Sequence, residues 1–267
     1  MVVVEIKPNR VQHHQIVLLA ILVLVLALHM QFATAGIAPK DWMFRGMTFT
    51  NGKYCPNVTY DSPKADLSLR NLRATGSQAV ALIVTNFQTN INTTTIFPTH
   101  VTATEDALIH VIRQSKSLGL TIMLKPHIDL TNSPGDWRGD IGLYYNATQW
   151  DAWFKSYSVM LIKYAQLAEQ EDVEVFSLAC ELIATAKQDK HWRQLTKQIR
   201  EVFHGEITMS ANWGGEETNL TWWDVVDIIG VDAYYPLATH IKNPTIEDLV
   251  KFWHIIIKDG IRNGVNG

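Results

Sequence analysis

Short apolar runs and stretches with helical spacing alternate along residues 43–257. Each apolar run has the length of a strand and few polar interruptions, which is typical of strands buried on both faces. Each longer stretch repeats its apolar residues three or four positions apart, which predicts a helix with one buried side. The strands are predicted at 43–49, 79–84, 120–124, 173–178, 207–210 and 225–231, and the helices at 62–76, 102–119, 148–164, 192–205 and 245–257. This alternation indicates a parallel sheet, either a closed barrel or an open doubly wound sheet.

Polar residues mark the beginnings of the predicted helices. Thr102 with Glu105, and Thr148 with Asp151, have the spacing of a capping box, in which two side chains satisfy the free N–H groups of the first turn. We therefore expect the second helix to begin after Thr102 and the third to begin after Thr148.

The ends of the strands distinguish the two kinds of sheet. A dinucleotide-binding sheet needs a glycine-rich turn after its first strand, and no G-x-G-x-x-G follows residues 43–49. Polar and aromatic residues instead follow nearly every predicted strand, and in a (β/α)8 barrel those positions converge on the rim that holds the active site. They are Thr50, Asn51, Asn86, Lys125, His127, Asp129, Glu181, Asn212, Trp213, Asp232 and Tyr234. We therefore predict an α/β fold of the (β/α)8 TIM-barrel type, with about six β/α units present.

The N-terminal segment reads as a targeting signal. Residues 16–28 are apolar and uncharged, basic residues precede them, and Ala33-Thr34-Ala35 follows as an A-x-A cleavage pattern. We predict a signal peptide over 1–35, with an uncleaved signal anchor as the alternative, and a barrel over 36–267. If the signal is uncleaved, residues 16–28 are the only membrane contact that we expect.

Four N-glycosylation sequons agree with entry into the secretory pathway. Their acceptors are Asn57, Asn92, Asn146 and Asn219. We expect the chain to be secreted or lumenal, in a lysosome or outside the cell, and to be membrane-anchored if the N-terminal segment is retained.

Composition excludes several classes of protein. The net charge of −3 argues against a nucleic-acid binder, which would carry a basic face. Two cysteines, Cys55 and Cys180, are too few for a disulfide-built scaffold. A disulfide between them is compatible with an oxidising compartment, but unpaired thiols are the simpler expectation. The nine tryptophans suit either a large core or a sugar-binding surface.

Glu181 is the strongest candidate for acid–base chemistry. It ends an apolar strand, and a carboxyl group in such surroundings favours its protonated form and can act as a general acid. The alternative is a solvated glutamate at the start of a loop. Lys125, His127 and Asp129 alternate with apolar residues, so all three can lie on one side of an extended segment. For these three the alternative is an ion-paired rim without a catalytic role.

Other rim residues offer binding groups rather than reactive ones. Asp232 and Tyr234 repeat the same alternation after the sixth strand, and Trp137 with Arg138 presents an aromatic plane and a fork of donors after the third. A Trp packed on the rim is the alternative there. One histidine and one carboxylate do not make a metal site, and neither H-E-x-x-H nor paired C-x-x-C occurs, so we expect no metal and no cofactor.

Several of these segments together resemble glycoside hydrolase family 113, the retaining β-mannanase type. They are Phe44–Phe49, Leu118–Asp129, Trp137–Gly139 with Gly142, Cys180–Leu182, Trp192-Arg193, and Ile228–Leu237. The resemblance implies an oligo- or polysaccharide substrate and Glu181 as the acid/base. It also implies that Lys125, His127, Asn212, Asp232 and Tyr234 lie near the sugar. We expect the other candidate rim residues to contact substrate as well, namely Asp129, Trp137, Arg138 and Trp213.

The sequence departs from that family in one respect. The family places a nucleophilic glutamate after a seventh strand, whereas no apolar run follows Gly260 and no glutamate follows Glu247. Retaining hydrolysis requires a pair of carboxyl groups. We therefore expect a barrel incomplete at its C-terminal side and without the nucleophile. The alternative is an inactive fragment or pseudoenzyme that acts at most as a glycan-binding barrel.

Overall fold

The computed structural model describes residues 45–51, 58–132 and 134–261, all within one compact unit that begins at Arg45. The predicted signal segment, Cys55 and the sequon at Asn57 lie outside these residues. Within them, no helix has both the length and the apolar composition needed to cross a membrane.

Six parallel strands form a single sheet whose spatial order follows the chain order. The strands are β1 (Gly46–Phe49), β2 (Ala79–Gln88), β3 (Thr121–Leu130), β4 (Val175–Cys180), β5 (Glu206–Asn212) and β6 (Ile228–Asp232). Helices connect successive strands, as parallel pairing requires. The predicted arrangement of six β/α units of the (β/α)8 type is confirmed.

The helices lie between the strands in the order that the sequence predicts. They are α1 (Pro63–Ala74), α2 (Glu105–Ser117), α3 (Ala147–Gln170), α4 (Asp189–Arg200), α5 (Glu216–Asn219) and α6 (Ile246–Ile255). A π-helical turn, Ile256–Ile261, follows α6. The four-residue helix α5 is absent from the prediction because it is too short to show helical spacing.

Two predicted helix starts are wrong by two residues. The N-cap of α2 is Thr104, whose side chain accepts the Ala107 N–H, while the Thr102 hydroxyl is used in the preceding loop and donates to the Thr85 carbonyl. The N-cap of α3 is Asn146 in place of Thr148.

One face of the sheet is packed against the helices and forms the core. In β2 and β3 the even-numbered residues are buried there, among them Val80, Leu82, Ile122 and Leu124. The aromatic stripe of α3 joins the same core, since Trp153 is fully buried and its indole N–H donates to Gln88 at 2.9 Å. Four tryptophans are buried in this core and so do not form a binding surface, namely Trp150, Trp153, Trp192 and Trp222.

The sheet is curled, and its other face is concave. Lys125 on β3 and Asp232 on β6 form an ion pair of 3.1 Å although two strands separate them. Strands lie about 4.8 Å apart, so β3 and β6 would be about 14 Å apart in a flat sheet. Side chains of this length span that gap only because the strands curve toward one another as in part of a barrel.

Candidate active site

The odd-numbered residues of β2 and β3 lie on the concave face, opposite the core. In the strand register, His127 of β3 lies beside Thr85 of β2, and Asp232 of β6 lies beside Asn212 of β5. The alternation predicted for Lys125, His127 and Asp129 therefore holds along β3. The carboxyl ends of the strands bring these polar groups to one edge of the curled sheet.

Asp232 on β6 is held by two side chains from across the concave face, Lys125 of β3 and Cys180 of β4. Lys125 Nζ contacts both carboxylate oxygens, at 3.1 and 3.3 Å, and the Cys180 thiol donates to Oδ2 at 3.1 Å. Burial lowers the pKa of Lys125, but the charge and the hydrogen bonds of the adjacent Asp232 carboxylate act in the opposite direction, and the pKa lies above its usual value. Burial is also the main reason that the pKa of the Cys180 thiol rises to about 12. Cys180 is thus a free, protonated thiol that serves as a hydrogen-bond donor.

Glu181 leaves the sheet immediately after β4 through an unusual backbone conformation. Its φ is +55°, a region that few residues other than glycine adopt and that costs on the order of 1–3 kcal/mol. Its N–H still donates to the Ser210 carbonyl at 3.0 Å, so the turn begins at the end of the ladder between β4 and β5. The carboxylate lies 3.4 Å from Arg138 Nε. This distance allows charge attraction between the two groups, but Arg138 Nε itself is buried without a hydrogen-bond partner among the described residues.

His127 is a neutral imidazole within this polar edge. Burial, and then the positive charges of Lys125 and Arg138, lower its pKa to about 3. Its Nε2 is buried and has no hydrogen-bond partner in the part of the chain that the structure describes. A neutral ring with one unused nitrogen is suited to a hydrogen bond with a ligand hydroxyl group.

The Gly214-Gly215 turn after β5 leads into α5, whose first two residues are buried glutamates that the sequence does not mark as site residues. Glu216 and Glu217 are only 4% and 3% exposed. Glu217 accepts hydrogen bonds from the N–H groups of Gly214 and Gly215 and, at 2.5 Å, from the Tyr235 hydroxyl. These bonds join the turn after β5 to the segment that follows β6. Gly214 and Gly215 both have positive φ, a conformation that favours glycine. The Gly-Gly pair after the predicted strand is therefore the sequence feature that could have indicated a tight turn here.

Glu216 is less completely satisfied than its neighbour. Its Oε2 accepts the Asn212 N–H at 2.6 Å, whereas its Oε1 is buried without a partner among the described residues. Burial is the main reason that its pKa rises to about 7, with further contributions from the carboxylates of Glu181, Glu217 and Asp232. A carboxyl group that titrates near neutrality at a strand end is characteristic of functional sites.

Aromatic side chains lie at two places on the same rim. Trp137 is 37% exposed, and its ring covers Gly139 so closely that a Cβ there would be 2.1 Å from a ring carbon. Trp213 packs edge-on against Tyr235, with ring centroids 5.6 Å apart. Both positions place a flat apolar surface next to polar groups, which is the usual character of a sugar-binding surface.

The predicted site residues Tyr234 and Asp129 lie near the carboxyl ends of β6 and β3. Tyr234 is 76% exposed, on the segment that follows β6. Asp129 lies beside Phe87 in the register, and its carboxylate accepts the N–H of the next residue, Leu130. Among the described residues, no group of three or more potential ligands is arranged to hold a metal ion.

The chain is similar to proteins of one family. The family model Glycoside Hydrolase Family 113 matches residues 47–257. Two solved GH113 β-1,4-mannanases are each 26% identical to this chain, with TM-scores of 0.67 and 0.68, and the matches cover 80% and 81% of this chain and 68% of each mannanase. The GH113 β-mannanase AaManA from Alicyclobacillus acidocaldarius is 30% identical with a TM-score of 0.65, over 72% of this chain and 62% of that chain. A comparison with curated proteins gives no match.

Proposed function

The chain belongs to glycoside hydrolase family 113, and we propose that it is a retaining β-glycosidase-like protein of the secretory pathway whose ligand is β-mannan or a related β-glycan. Glu181 is its acid/base. The observation that carries this proposal is the placement of Glu181: a carboxylate held at the polar edge of the curled sheet by a left-handed turn, next to Arg138. The solved relatives named as β-mannanases support the choice of glycan.

Glu181 would protonate the glycosidic oxygen as the bond breaks, and the same carboxylate would later accept a proton from water. Arg138 lies 3.4 Å from the Glu181 carboxylate, and its guanidinium would donate hydrogen bonds to a bound sugar. His127 would contact a hydroxyl group of that sugar through its unused Nε2. Trp137 would provide an apolar surface for a neighbouring sugar ring.

A second candidate function is glycan binding without hydrolysis. Retaining hydrolysis needs a second carboxylate about 5–5.5 Å from the acid/base. Asp232, on β6, is the candidate for this second carboxylate, and the Lys125 and Cys180 side chains both bind its oxygens. A carboxylate bound in this way is a poor nucleophile, and this observation favours the proposal that the chain binds glycans without the family's nucleophile.

The experiment that separates these functions measures binding and turnover on the same preparation. The full chain is produced in a secretory eukaryotic cell. Calorimetry with a β-1,4-linked mannooligosaccharide measures affinity, and release of reducing ends from β-mannan measures hydrolysis. Binding without hydrolysis supports the second candidate, and hydrolysis supports the first.

Where the chain hydrolyses a glycan, two variants test the role of Glu181. Glu181→Gln keeps the shape of the side chain but cannot donate the proton, so any hydrolysis should fall by roughly 10²–10⁴-fold. Glu201→Gln, at an exposed position after α4, is the matched control and should change nothing. Absence of both binding and hydrolysis in the unmodified chain would overturn the proposed function.

A further inference from the structure

The ladder between β4 and β5 ends where Glu181 turns away. Cys180 lies beside Ser210 in the register, and the Glu181 N–H donates to the Ser210 carbonyl. In a parallel ladder the bonds repeat every second residue, so the next donor on this edge of β5 is the Asn212 N–H. Its regular acceptor would be the backbone of β4 at Glu181, but the left-handed turn takes that backbone out of the sheet.

The Glu216 carboxylate occupies the position that β4 leaves. Its Oε2 accepts the Asn212 N–H at 2.6 Å, a length typical of a charge-assisted bond. A buried N–H without an acceptor would cost about 1–3 kcal/mol. The side chain therefore satisfies the strand end that the turn at Glu181 would otherwise leave unpaired.

We propose that Glu216 is a positioning residue for Glu181. Its carboxyl group replaces the backbone of β4 as the hydrogen-bond partner of Asn212 and thereby stabilises the left-handed turn that contains Glu181. The role of Glu181 in this statement rests on the proposed function. The contact between Glu216 and β5 does not, so it can be tested whether or not the chain hydrolyses a glycan.

The charges around Glu216 make this positioning depend on pH. Glu181 at the end of β4, Asp232 on β6 and Glu217 in its own loop are the carboxylates whose charge acts on it. Arg138 pairs with Glu181 and Lys125 pairs with Asp232, so these two cations already have carboxylate partners. Ionisation of Glu216, whose pKa is about 7, strengthens the bond to Asn212 but adds a negative charge to this group.

The test follows backbone amide signals of the isotope-labelled full chain by NMR from pH 5 to pH 9. We expect the amide signals of Asn212 and Glu181 to shift together with a midpoint near 7. Glu216→Gln keeps an acceptor for Asn212 but does not ionise, so both shifts should disappear while the signals stay close to their wild-type positions. Glu216→Ala removes the acceptor, and both signals should move at every pH.

Glu217→Gln is the matched control, since it is an equally buried glutamate of the same loop bound to Gly214, Gly215 and Tyr235. It should keep the midpoint near neutrality at Asn212. If Glu216→Ala prevents folding, the wild type and Glu216→Gln still decide the question. An Asn212 amide that does not titrate, or a Glu181 amide that is indifferent to Glu216, would overturn the proposal.

Where the chain hydrolyses a glycan, activity gives a second measurement. Displacement of a catalytic group by about 1 Å can cost roughly 10²-fold, so Glu216→Ala should lose that much in kcat with little change in KM. Glu216→Gln should recover most of this loss and remove any limb of the pH profile near 7. Loss of hydrolysis in every protein, with the amide titration intact, would count against the proposed function and not against the positioning role.

Discussion

His127 makes folding sensitive to acid because its imidazole is buried without a charge. Its pKa is about 3 in the folded chain and about 6.5 when exposed. A depressed pKa means that the stabilisation is complete above pH 6.5 and is lost as the pH falls toward 3. We expect this residue to account for up to about 4 kcal/mol of destabilisation over that range. His127→Gln should therefore show a flatter decline of unfolding free energy, measured by urea denaturation between pH 7 and pH 3.5.

The control for this prediction is His204→Gln. His204 is an exposed residue beside Glu169, and its replacement should leave the pH dependence nearly unchanged. Both variants retain Glu216, whose raised pKa has the opposite effect on the pH dependence of stability. Its contribution to stability is lost as the pH rises from about 4.5 to about 7. If the unfolding free energy of His127→Gln fell with pH as steeply as that of the wild type, this imidazole would not be buried in its neutral form.

Gly139 determines the position of the Trp137 ring. A methyl group at Gly139 would overlap ring carbons at 2.1–2.5 Å, so Gly139→Ala must displace the indole. If the exposed face of Trp137 contacts the glycan, Gly139→Ala and Trp137→Ala should both weaken binding, by about 0.5–1.5 kcal/mol or roughly twofold to twelvefold in Kd. Calorimetry with a mannooligosaccharide measures this loss.

Gly135→Ala is the control in the same loop. In the described part of the chain, no atom lies within 4 Å of a Cβ at Gly135, although its φ of +89° makes the substitution strained. It should destabilise the loop without displacing Trp137 and should leave Kd nearly unchanged. An unaltered Kd in both Gly139→Ala and Trp137→Ala would remove Trp137 from the binding surface.

The start of α3 depends on a reciprocal cap. Asn146 Oδ1 accepts the Gln149 N–H at 3.0 Å, and Gln149 Oε1 accepts the Asn146 N–H at 3.1 Å. Loss of such a cap costs about 1 kcal/mol. In protein from the bacterial cytoplasm, which carries no N-glycan, we expect Asn146→Ala to be less stable by this amount in urea denaturation.

Asn146→Asp is the matched variant for this cap. Aspartate keeps the acceptor oxygen and adds a negative charge near the positive end of the helix dipole, so its stability should equal or exceed that of the wild type. If Asn146→Ala and Asn146→Asp are equally stable, the hydrogen bonds at this position do not stabilise α3.

At the scale of elements, the sequence predicts the existence and type of the long segments better than their ends. The predicted strand 225–231 becomes a single 3-10 turn at Trp223–Val225 followed by β6, because the chain must turn before Ile228 pairs with Thr208. The spacing of Thr102 and Glu105 resembles a capping box, but the Thr102 hydroxyl already serves the loop through Thr85. Such competition between tertiary and local hydrogen bonds is not visible in the spacing of residues.

Across the whole molecule, the alternation of short apolar runs with helical stretches predicts a parallel sheet with polar residues at one edge. Local sequence alone is enough for that prediction. The partners of those residues depend on curvature, which joins Lys125 to Asp232 across two intervening strands. The role of Glu216 depends on which backbone bond the turn at Glu181 leaves open. The sequence could therefore identify Glu181 and the residues along β3, but it could not identify the carboxyl group that accepts from Asn212.

Entry of the whole chain into the secretory pathway is tested through its sequons. Asn92 and Asn146 are exposed, and Asn146 uses only Oδ1 for its cap, so a glycan on Nδ2 would leave α3 capped. Nδ2 of Asn219 is instead bound to the Gly215 carbonyl, and we expect the lowest occupancy there. In a secretory eukaryotic cell, glycosidase treatment should increase the gel mobility of the chain. Asn92→Gln and Asn146→Gln should each remove one step of that shift, whereas Asn219→Gln should have little effect.

The same cells distinguish the two predictions for residues 16–28, because a cleaved signal releases the chain into the medium and a retained anchor keeps it with the membranes. A chain whose mobility is unaffected by glycosidase would contradict entry into the pathway, whatever its fold.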